Sequence, residues 1–591
     1  MSQATKQWGM TPALSHNLPT PLDNEKNAEL VEELKKRNNY ETQQETQKRM
    51  ATLRMLNRAN KDFIKEVGRR KGYPQNQIEQ LGGKIYPYGS YRLGVFGPGS
   101  DIDTLAVAPM VAHRDQFFEF FPDIIKRLAG PENVTQCTIV PEAFVPIIKL
   151  IVNGIEIDLI FAALRRDTIP PEFELKDNKI LEGLDEASIR AVTGPRVTDE
   201  ILALVPEHKT FRTALRAIKV WAQNRAIYGN IVGYPGGVAW AMLVARVCQM
   251  YPQAIGATLV HKFFNVFRGW SWPTPVLLKD IEKGPQRTWN PAIYPGDKRN
   301  LMPIITPAYP SMCSTFNVTH SNKAVIVREI DRGFKIAGDI FAGKAQWADL
   351  FAKHTFFTKD HKYYLSIIAS SRDPEDAKAW AGTVESKVRH FIGFLDGASK
   401  MVQLARPFNK QLKREHKIEN EEQFMEVRKG DMKYKVAETK EVESTDPELV
   451  AADGAGTATN DDEVTTKIEG GKTVFTYTCY IGITPTALLE QTKKLEIHNE
   501  TKSFRDKCYS WEKFEPDRHF LEVQPCRAWQ LPDDLFDAKL GETKPEKPVK
   551  KRKAANGEEA ASEPPAKKPA INGVLSPSAT PAFATSTPQP V

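Results

Sequence analysis

Tyr88–Thr104 reads YGSYRLGVFGPGSDIDT. A Gly-Ser pair, Gly89-Ser90, is followed after ten intervening residues by Asp101-Ile102-Asp103, and an apolar run, Leu105–Ala108, comes directly behind. Residues i and i+2 of a strand share a face, so Asp101 and Asp103 are expected to stand side by side. Two such carboxylates repel unless a cation sits between them. Hard divalent ions with oxygen ligands, Mg2+ above all, meet that need. Gly89 lets the backbone approach a phosphate, and the Ser90 hydroxyl with nearby N–H groups can hold a triphosphate. A lone D-x-D is a common accident of exposed loops. The Gly-Ser at this distance and the strand after it turn the reading toward a metal site.

Such a site calls for a third carboxylate on a neighbouring strand. Pro146–Val152 (PIIKLIV) and Ile155–Phe161 (IEIDLIF) flank Asn153-Gly154, the strongest short hairpin signal. A two-residue loop pairs Val152 with Ile155, Ile151 with Glu156, Leu150 with Ile157 and Lys149 with Asp158. Opposite charges across a ladder are a favourable pair, so a surface ion pair on an edge hairpin is the plain alternative. The strands are otherwise apolar, however, and a buried acid needs a partner. Asp158 is therefore expected to complete the metal site, with Lys149 reaching a nucleotide or RNA phosphate.

Outward from this centre, residues 1–22 read as an extended arm. A helical pattern spans Glu41–Val67, with Met50, Leu53, Leu56, Phe63, Ile64 and Val67 near one stripe, and residues 68–80 break it. Short strands fill 84–165. Thr198 resembles an N-cap, Pro206 a break, and Thr210–Tyr228 a long helix stopped at Gly229. Pro235-Gly236-Gly237 is first a turn before a helix Val238–Met250, although a helix N-terminus is also an anion site. Helical segments continue to about 350. Tyr363–Ala369 reads as a strand, and Asp373-Pro374 opens a helix whose Val384, Val388, Phe391 and Leu395 share a face. Thr473–Ile483 is a further strand. Residues 436–471, acidic and rich in Gly and Thr, read as a disordered insertion, and the Lys/Pro/Ala/Ser-rich stretch beyond 538 as a disordered tail.

The 591 residues carry 81 Lys+Arg against 74 Asp+Glu, a net charge of +7. Over this length the field is weak, and it permits a polyanionic partner without requiring one. The six cysteines are scattered, with no C-x-x-C pair, which points to reduced thiols and away from structural zinc. No apolar run is long enough for a bilayer and the N-terminus lacks an apolar signal core, so no membrane partner is expected. Basic residues cluster at Lys410–Lys417 (KQLKREHK), where Lys410, Lys413 and Arg414 are candidate RNA phosphate contacts. A solvated face is the alternative there, and it fits the pair Lys493-Lys494 better. Lys550, Lys551, Arg552 and Lys553, then Lys567 and Lys568, resemble a bipartite nuclear-import signal.

The stretch GSYRLGVFGPGSDIDTLAV resembles the signature of the DNA polymerase β-type nucleotidyltransferase superfamily. In detail it is similar to eukaryotic, fungal-like nuclear poly(A) polymerases, and the likeness continues through Arg196–Met250 and covers about 15–535. The resemblance implies a multidomain α+β fold: a nucleotidyltransferase palm with a mixed sheet and helices, a helical middle domain, a C-terminal RRM-like (ferredoxin-like) RNA-binding domain, and a disordered tail. The expected divisions are 1–52 for the arm and helices packing with the middle domain, 53–203 for the palm, 204–352 for the middle domain, 353–537 for the RNA-binding domain, and 538–591 for the tail with the import signal.

The resemblance places the metal-binding triad on Asp101, Asp103 and Asp158. It places nucleotide contacts on Tyr88, Gly89, Ser90, Ser100 and Lys149, and on Lys219, Tyr228, Asn230, Gly237 and Val238. Read alone, Lys219 is a solvated helix lysine and Tyr228 a core residue as readily as a base-stacking one. The implied activity is template-independent addition of AMP from ATP to an RNA 3′ end, with two Mg2+ ions and Mn2+ as a substitute. Implied partners are ATP, the RNA 3′ end or poly(A) primer, and cleavage-and-polyadenylation subunits. The isolated enzyme is expected to be a monomer, and its compartment the nucleus. Rival readings are a uridylyl- or CCA-adding enzyme and a catalytically silent RNA-binding scaffold; three intact carboxylates argue against the last.

Overall fold

The computed structural model describes residues 6–141, 143, 145–398, 400–443, 472–492 and 494–547. The chain enters along an arm tied to the body by the N–H of Leu14 on Met250 O (2.8 Å) and by Gln249 Nε2 on Trp8 O (3.1 Å). Helix α1 (Pro21–Lys36) and helix α2 (Gln43–Arg70) each start with a reciprocal capping box, Thr20 with Asp23 and Thr42 with Glu45. Leu56, Phe63, Ile64 and Val67 of α2 are fully buried, whereas Met50 is 47% exposed. Steps of three residues rotate a helical stripe backward, so Met50 has turned about 120° from Leu56. The stretch read as a break contains a further short helix, α3 (Gln75–Gln80).

The first sheet follows. Strand β1 (Lys84–Pro87) leads into a short helix α4 (Gly89–Leu93), then β2 (Ile102–Pro109), helix α5 (Arg114–Ala129), β3 (Val134–Val140), β4 (Ile147–Val152) and β5 (Ile155–Leu164). The order is β1-β2-β5-β4-β3; β2 and β5 run parallel and the other pairs antiparallel. The β4–β5 hairpin has the register read from sequence, Lys149 opposite Asp158 included. Asn153 and Gly154 both hold positive φ (54° and 69°), as a primed two-residue turn requires.

Helices α2 and α5 cover one face of this sheet, packing Phe63, Phe117 and Phe121 against Ala106 and Phe161. The other face carries Leu105, Val107, Ile160 and Ala162 under Ala191 and Val192 of α6 (Glu186–Ala203). Helix α6 starts twelve residues before Thr198, at an Asp185 cap on the Ser188 N–H, so Thr198 is an interior residue and not an N-cap. Burial of Ala191, Val192, Pro195 and Val197 outweighs the breaking tendency of Gly194-Pro195.

The helical region comprises α7 (His208–Asn224), α8 (Gly237–Met250), α9 (Gly256–Arg268), α10 (Pro295–Lys298), α11 (His320–Phe341) and α12 (Trp347–Leu350). Its centre is an aromatic cluster of Trp221, Trp240, Phe263 and Phe264, and α1 packs on α7, α9, α11 and α12. Helix α7 ends before the expected Tyr228, where Ala226 turns to φ 54°. Between α9 and α11 the chain is mostly irregular, because eight prolines from Pro273 to Pro310 withdraw backbone donors.

The last region runs β6 (Tyr363–Ser371), α13 (Pro374–Ala398), β7 (Val402–Pro407), β8 (Lys410–Ile418), α14 (Glu421–Arg428), β9 (Lys440–Glu443), β10 (Lys472–Pro485), α15 (Ala487–Thr492), α16 (His498–Tyr509) and β11 (Phe520–Arg527). Asp373 accepts from the N–H groups of Glu375 and Asp376 to cap α13, whose Val384, Val388, Phe391 and Leu395 are all buried. Strand order is β11-β6-β10-β8-β9, with β7 also on β10. Taking β6, α13, β8, β10, α16 and β11 as the main elements recovers the strand–helix–strand–strand–helix–strand pattern of ferredoxin-like domains. Among the described residues no helix is long and apolar enough to cross a membrane, and the six cysteines are free thiols.

Candidate active site

The parallel pairing of β2 with β5 sets Asp103 directly beside Asp158. Side chains alternate along each strand, so Asp103 shares the face of Leu105 and Val107, and Asp158 that of Ile160 and Ala162. This is the face covered by α6. Asp101 lies one residue before β2, exposed, while Asp103 and Asp158 are half-buried. Each of the three offers a carboxylate oxygen within 4.8 Å of the others'. Burial foremost pushes the Asp158 carboxyl up to about 6; Lys149, with Nζ 3.5 Å from Oδ2, opposes the rise and Asp101 reinforces it. The donor set fits a hard divalent cation. All three donors are oxygens, and the electrostatic strain in the Asp158 carboxyl is the kind that a cation among them relieves.

Gly89 opens α4 at φ 60°. A methyl group on it would overlap Asp103 Oδ2 and lie 3.2 Å from Cγ, so the glycine clears room for the carboxylate as well as for a ligand. The Tyr88 N–H donates to Asp103 O (3.0 Å) and the Gly89 N–H to Thr198 Oγ1 (3.2 Å). Ser90 follows in the first turn of α4, half-buried. Ser100 shapes the turn that delivers Asp101: its Oγ accepts from the Gly97 N–H (3.0 Å) and its own N–H donates to Gly97 O (3.2 Å).

Two arginines of α7, which sequence reasoning missed, hold the intervening loop. Arg212 Nε donates to Leu93 O (3.0 Å), and Arg216 donates to Gly94 O (3.0 Å), Phe96 O (2.7 Å) and Asn39 O. The available signal was position: Arg216 is buried amid Leu215, Ala217 and Ile218, where a cation requires carbonyl acceptors.

The candidates outside the palm lie on α7, on the loop after it and at the start of α8, which packs on α4. Lys219 is half-buried beside the buried Ile218, Val220 and Trp221. Tyr228 meets Gly237, since a methyl there would stand 2.7 Å from the Tyr228 hydroxyl oxygen. Asn230 is buried, its carbonyl accepting from Asn317 Nδ2 (3.2 Å), and Val238 is half-buried.

The basic run Lys410–Lys417 is strand β8, and Lys410, Lys413 and Arg414 have internal partners. Lys410 pairs with Glu441 (2.8 Å) and Lys413 with Glu415 (3.4 Å). Arg414, taken from sequence as a phosphate contact, is instead buried: its guanidinium grips both oxygens of Asp534 (2.8 and 3.0 Å) and donates to Thr478 Oγ1. Strand alternation turns it to the covered side of the sheet, which a linear charge cluster does not reveal. Lys494 is exposed near Glu496, whereas Lys493 and the import-signal residues, Lys550 to Lys568, lie outside the described residues.

Compared with known proteins, residues 9–205 match the family model described as the poly(A) polymerase nucleotidyltransferase domain. Residues 210–353 match the poly(A) polymerase central domain, and 355–547 the poly(A) polymerase predicted RNA binding domain. The chain is similar to the poly(A) polymerase pla1 of Schizosaccharomyces pombe, with 44% identity over 566 residues, 93% of this chain and 97% of that protein. It is also similar to the poly(A) polymerase PAPa of Candida albicans, with 41% identity over 561 residues and the same two coverages. A solved structure of Cid1, titled for its RNA terminal uridylyl transferase activity, overlays 56% of this chain and 99% of its own at 13% identity, with a TM-score of 0.38.

Proposed function

The chain belongs to the poly(A) polymerase family, and from that premise we propose that it adds AMP from ATP to RNA 3′ ends at a metal site formed by Asp101, Asp103 and Asp158. The observation that carries this reading is the convergence of those three carboxylates, within 4.8 Å, from two paired strands. The reaction joins the primer's 3′ oxygen to the α-phosphorus of ATP and breaks the bond to the β-phosphate, releasing pyrophosphate. Asp101, Asp103 and Asp158 would hold divalent ions, which would supply Lewis-acid stabilisation of the negative charge on the attacking and departing oxygens. We assign two such ions, Mg2+ with Mn2+ as a substitute.

The chain's own groups do the rest. Asp158, whose carboxyl burial raises to about 6, is assigned to receive the hydroxyl proton on the primer side. Gly89 and Ser90 are assigned to the triphosphate, with Ser100 shaping the loop beside them. Lys149, anchored at Asp158, is assigned to a nucleotide or RNA phosphate. Tyr88, Lys219, Tyr228, Asn230, Gly237 and Val238 complete the nucleotide set. Lys410 and Lys413, at the sheet's β8–β9 side, remain the candidates for primer phosphates.

The division we adopt is an arm and helices over 1–52, palm 53–203, middle domain 204–352, RNA-binding domain 353–537, and a tail 538–591 whose KKRK and Lys567-Lys568 direct nuclear import. We further infer that the enzyme acts on messenger RNA in the nucleus together with cleavage-and-polyadenylation subunits, and we take the isolated chain to be a monomer. Purified protein given oligo(A), Mg2+ and each nucleoside triphosphate separately should extend the primer with ATP. Asp158→Asn should abolish extension, with a loss on the order of a thousandfold or more. Preference for UTP, or a near-normal rate in Asp158→Asn, overturns the proposal.

A further inference from the structure

Gly194 and Thr198 stand one turn apart on α6, and both touch the Tyr88–Gly89 step. Thr198 is 4% exposed. Its hydroxyl donates to Gly194 O (2.9 Å) and accepts from the Gly89 N–H (3.2 Å). The first bond is the ordinary back-bond of a helical threonine; the second reaches across to a residue 109 positions away and has no role in the helix. At Gly194, an added methyl would lie 3.0 Å from Cδ2 and Cε2 of Tyr88, so the ring rests directly on the α6 backbone. From the opposite side, β2 holds the same step through the Tyr88 N–H on Asp103 O. Gly89 in turn faces the Asp103 carboxylate closely enough that only a hydrogen fits between them.

We propose that Gly194 and Thr198 are positioning residues for nucleotidyl transfer, seating Tyr88 and Gly89 so that the Gly89 backbone and the Asp103 carboxylate keep their mutual placement. This rests on the assignment of Asp103 to the metal site. Valine has the shape of threonine and no acceptor, so Thr198→Val leaves the Gly89 N–H without its partner and frees the 88–89 peptide to rotate against the carboxylate. Serine keeps the oxygen. A misplacement of about 1 Å in such a site lowers the rate about a hundredfold.

The test uses the full chain, with steady-state extension of oligo(A) by ATP and amide hydrogen exchange of the segment 88–94. Thr198→Val should lower kcat by about ten- to a hundredfold with the primer KM unchanged, and should speed exchange of that segment. Thr198→Ser should restore most of both. Gly194→Ala, which presses on the Tyr88 ring, gives an independent arm with the same expected split. A native kcat in Thr198→Val, equal damage in the Val and Ser variants, or unchanged exchange overturns the proposal. Asp103→Ala reads the underlying assignment separately: activity retained there defeats the metal-site reading whatever Thr198 does.

Discussion

Gly89→Ala separates a phosphate-binding glycine from one that also makes room for a metal ligand. The new methyl would overlap Asp103 Oδ2 and stand 3.2 Å from Cγ and 3.6 Å from Cβ. Restoring ordinary van der Waals contact requires the carboxylate to move by about 1 Å. The backbone gives no relief: φ is 60° at Gly89, which costs an alanine about 1 kcal/mol in the folded state. With the Asp103 backbone held in register opposite Asp158, the side chain must take up this movement and so changes its placement relative to the other two acids. A displacement of that size in a reacting constellation corresponds to about a hundredfold in rate, or about 2.7 kcal/mol of barrier. Stability should therefore fall by roughly 1 kcal/mol and kcat for AMP addition by about two orders of magnitude. Initial rates at saturating ATP and primer, with a thermal midpoint on the same preparation, measure both. An alanine variant with kcat within about threefold of native would refute the claim that Gly89 and Asp103 are sterically coupled.

Three further outcomes are expected. Arg414→Gln should destabilise the protein by about 2 kcal/mol, because it removes the two-pronged partner of a largely buried Asp534 and leaves that carboxylate to Lys435 and Thr439, and should leave the salt dependence of primer binding unchanged; a slope shallower by about 0.7 would return the guanidinium to the RNA. Burial first, and then Arg406 beside His361 and Arg414 beside His416, hold these imidazoles down to about 3 and about 4. The unfolded chain binds protons at these two imidazoles near 6.5, where the folded one does not, so stability should fall as pH drops below about 6.5, by up to about 2.7 kcal/mol per pH unit for the pair. Denaturant midpoints at pH 7.5 and 5.5 check this, and replacing both histidines with phenylalanine should reduce the difference to the share of His354 and His390, which burial likewise holds down to about 3 and about 4. Removing residues 548–591 should abolish nuclear accumulation of a fluorescent fusion and leave primer extension in vitro intact; lost extension would move part of the activity into the tail.

Local chemistry made the site legible in the sequence wherever it was sufficient by itself. Asn153-Gly154 admits few conformations besides a primed turn, so the turn fixed the β4–β5 register, and with it the Lys149–Asp158 pairing, from residues close in the chain. Asp373-Pro374 likewise announced α13. What sequence could not disclose were features defined by a distant partner. Thr198 resembles an N-cap by composition, yet its hydroxyl serves Gly89. Arg216 resembles one more helix cation, yet it binds three carbonyls of the 39–96 region. Arg414 belongs to a basic run that tertiary folding pairs internally with Asp534. The parallel pairing of β2 with β5 also lay beyond local reading, since the two strands are separated by α5 and two further strands.

The position of the triad along its strands follows from where helical cover ends. On the α6 face of β5, Glu156 is exposed, Asp158 half-buried, and Ile160 and Ala162 fully buried. Burial thus deepens with distance from the hairpin tip, and Asp158 occupies the pair at which the sheet passes from solvent to core. One pair nearer the tip, a carboxylate stays hydrated and repels its neighbours weakly. One pair deeper, at Ile160, it would sit among apolar side chains and stay protonated. A slip of one residue would instead turn Asp158 toward Phe117 and Phe161 on the opposite face. Because β5 is apolar on both faces, hydrophobic pattern alone does not forbid that slip. The Asn-Gly turn and the Lys149–Asp158 pair do, and they thereby keep the third acid beside Asp103, at the boundary where partial desolvation raises its carboxyl without extinguishing its charge.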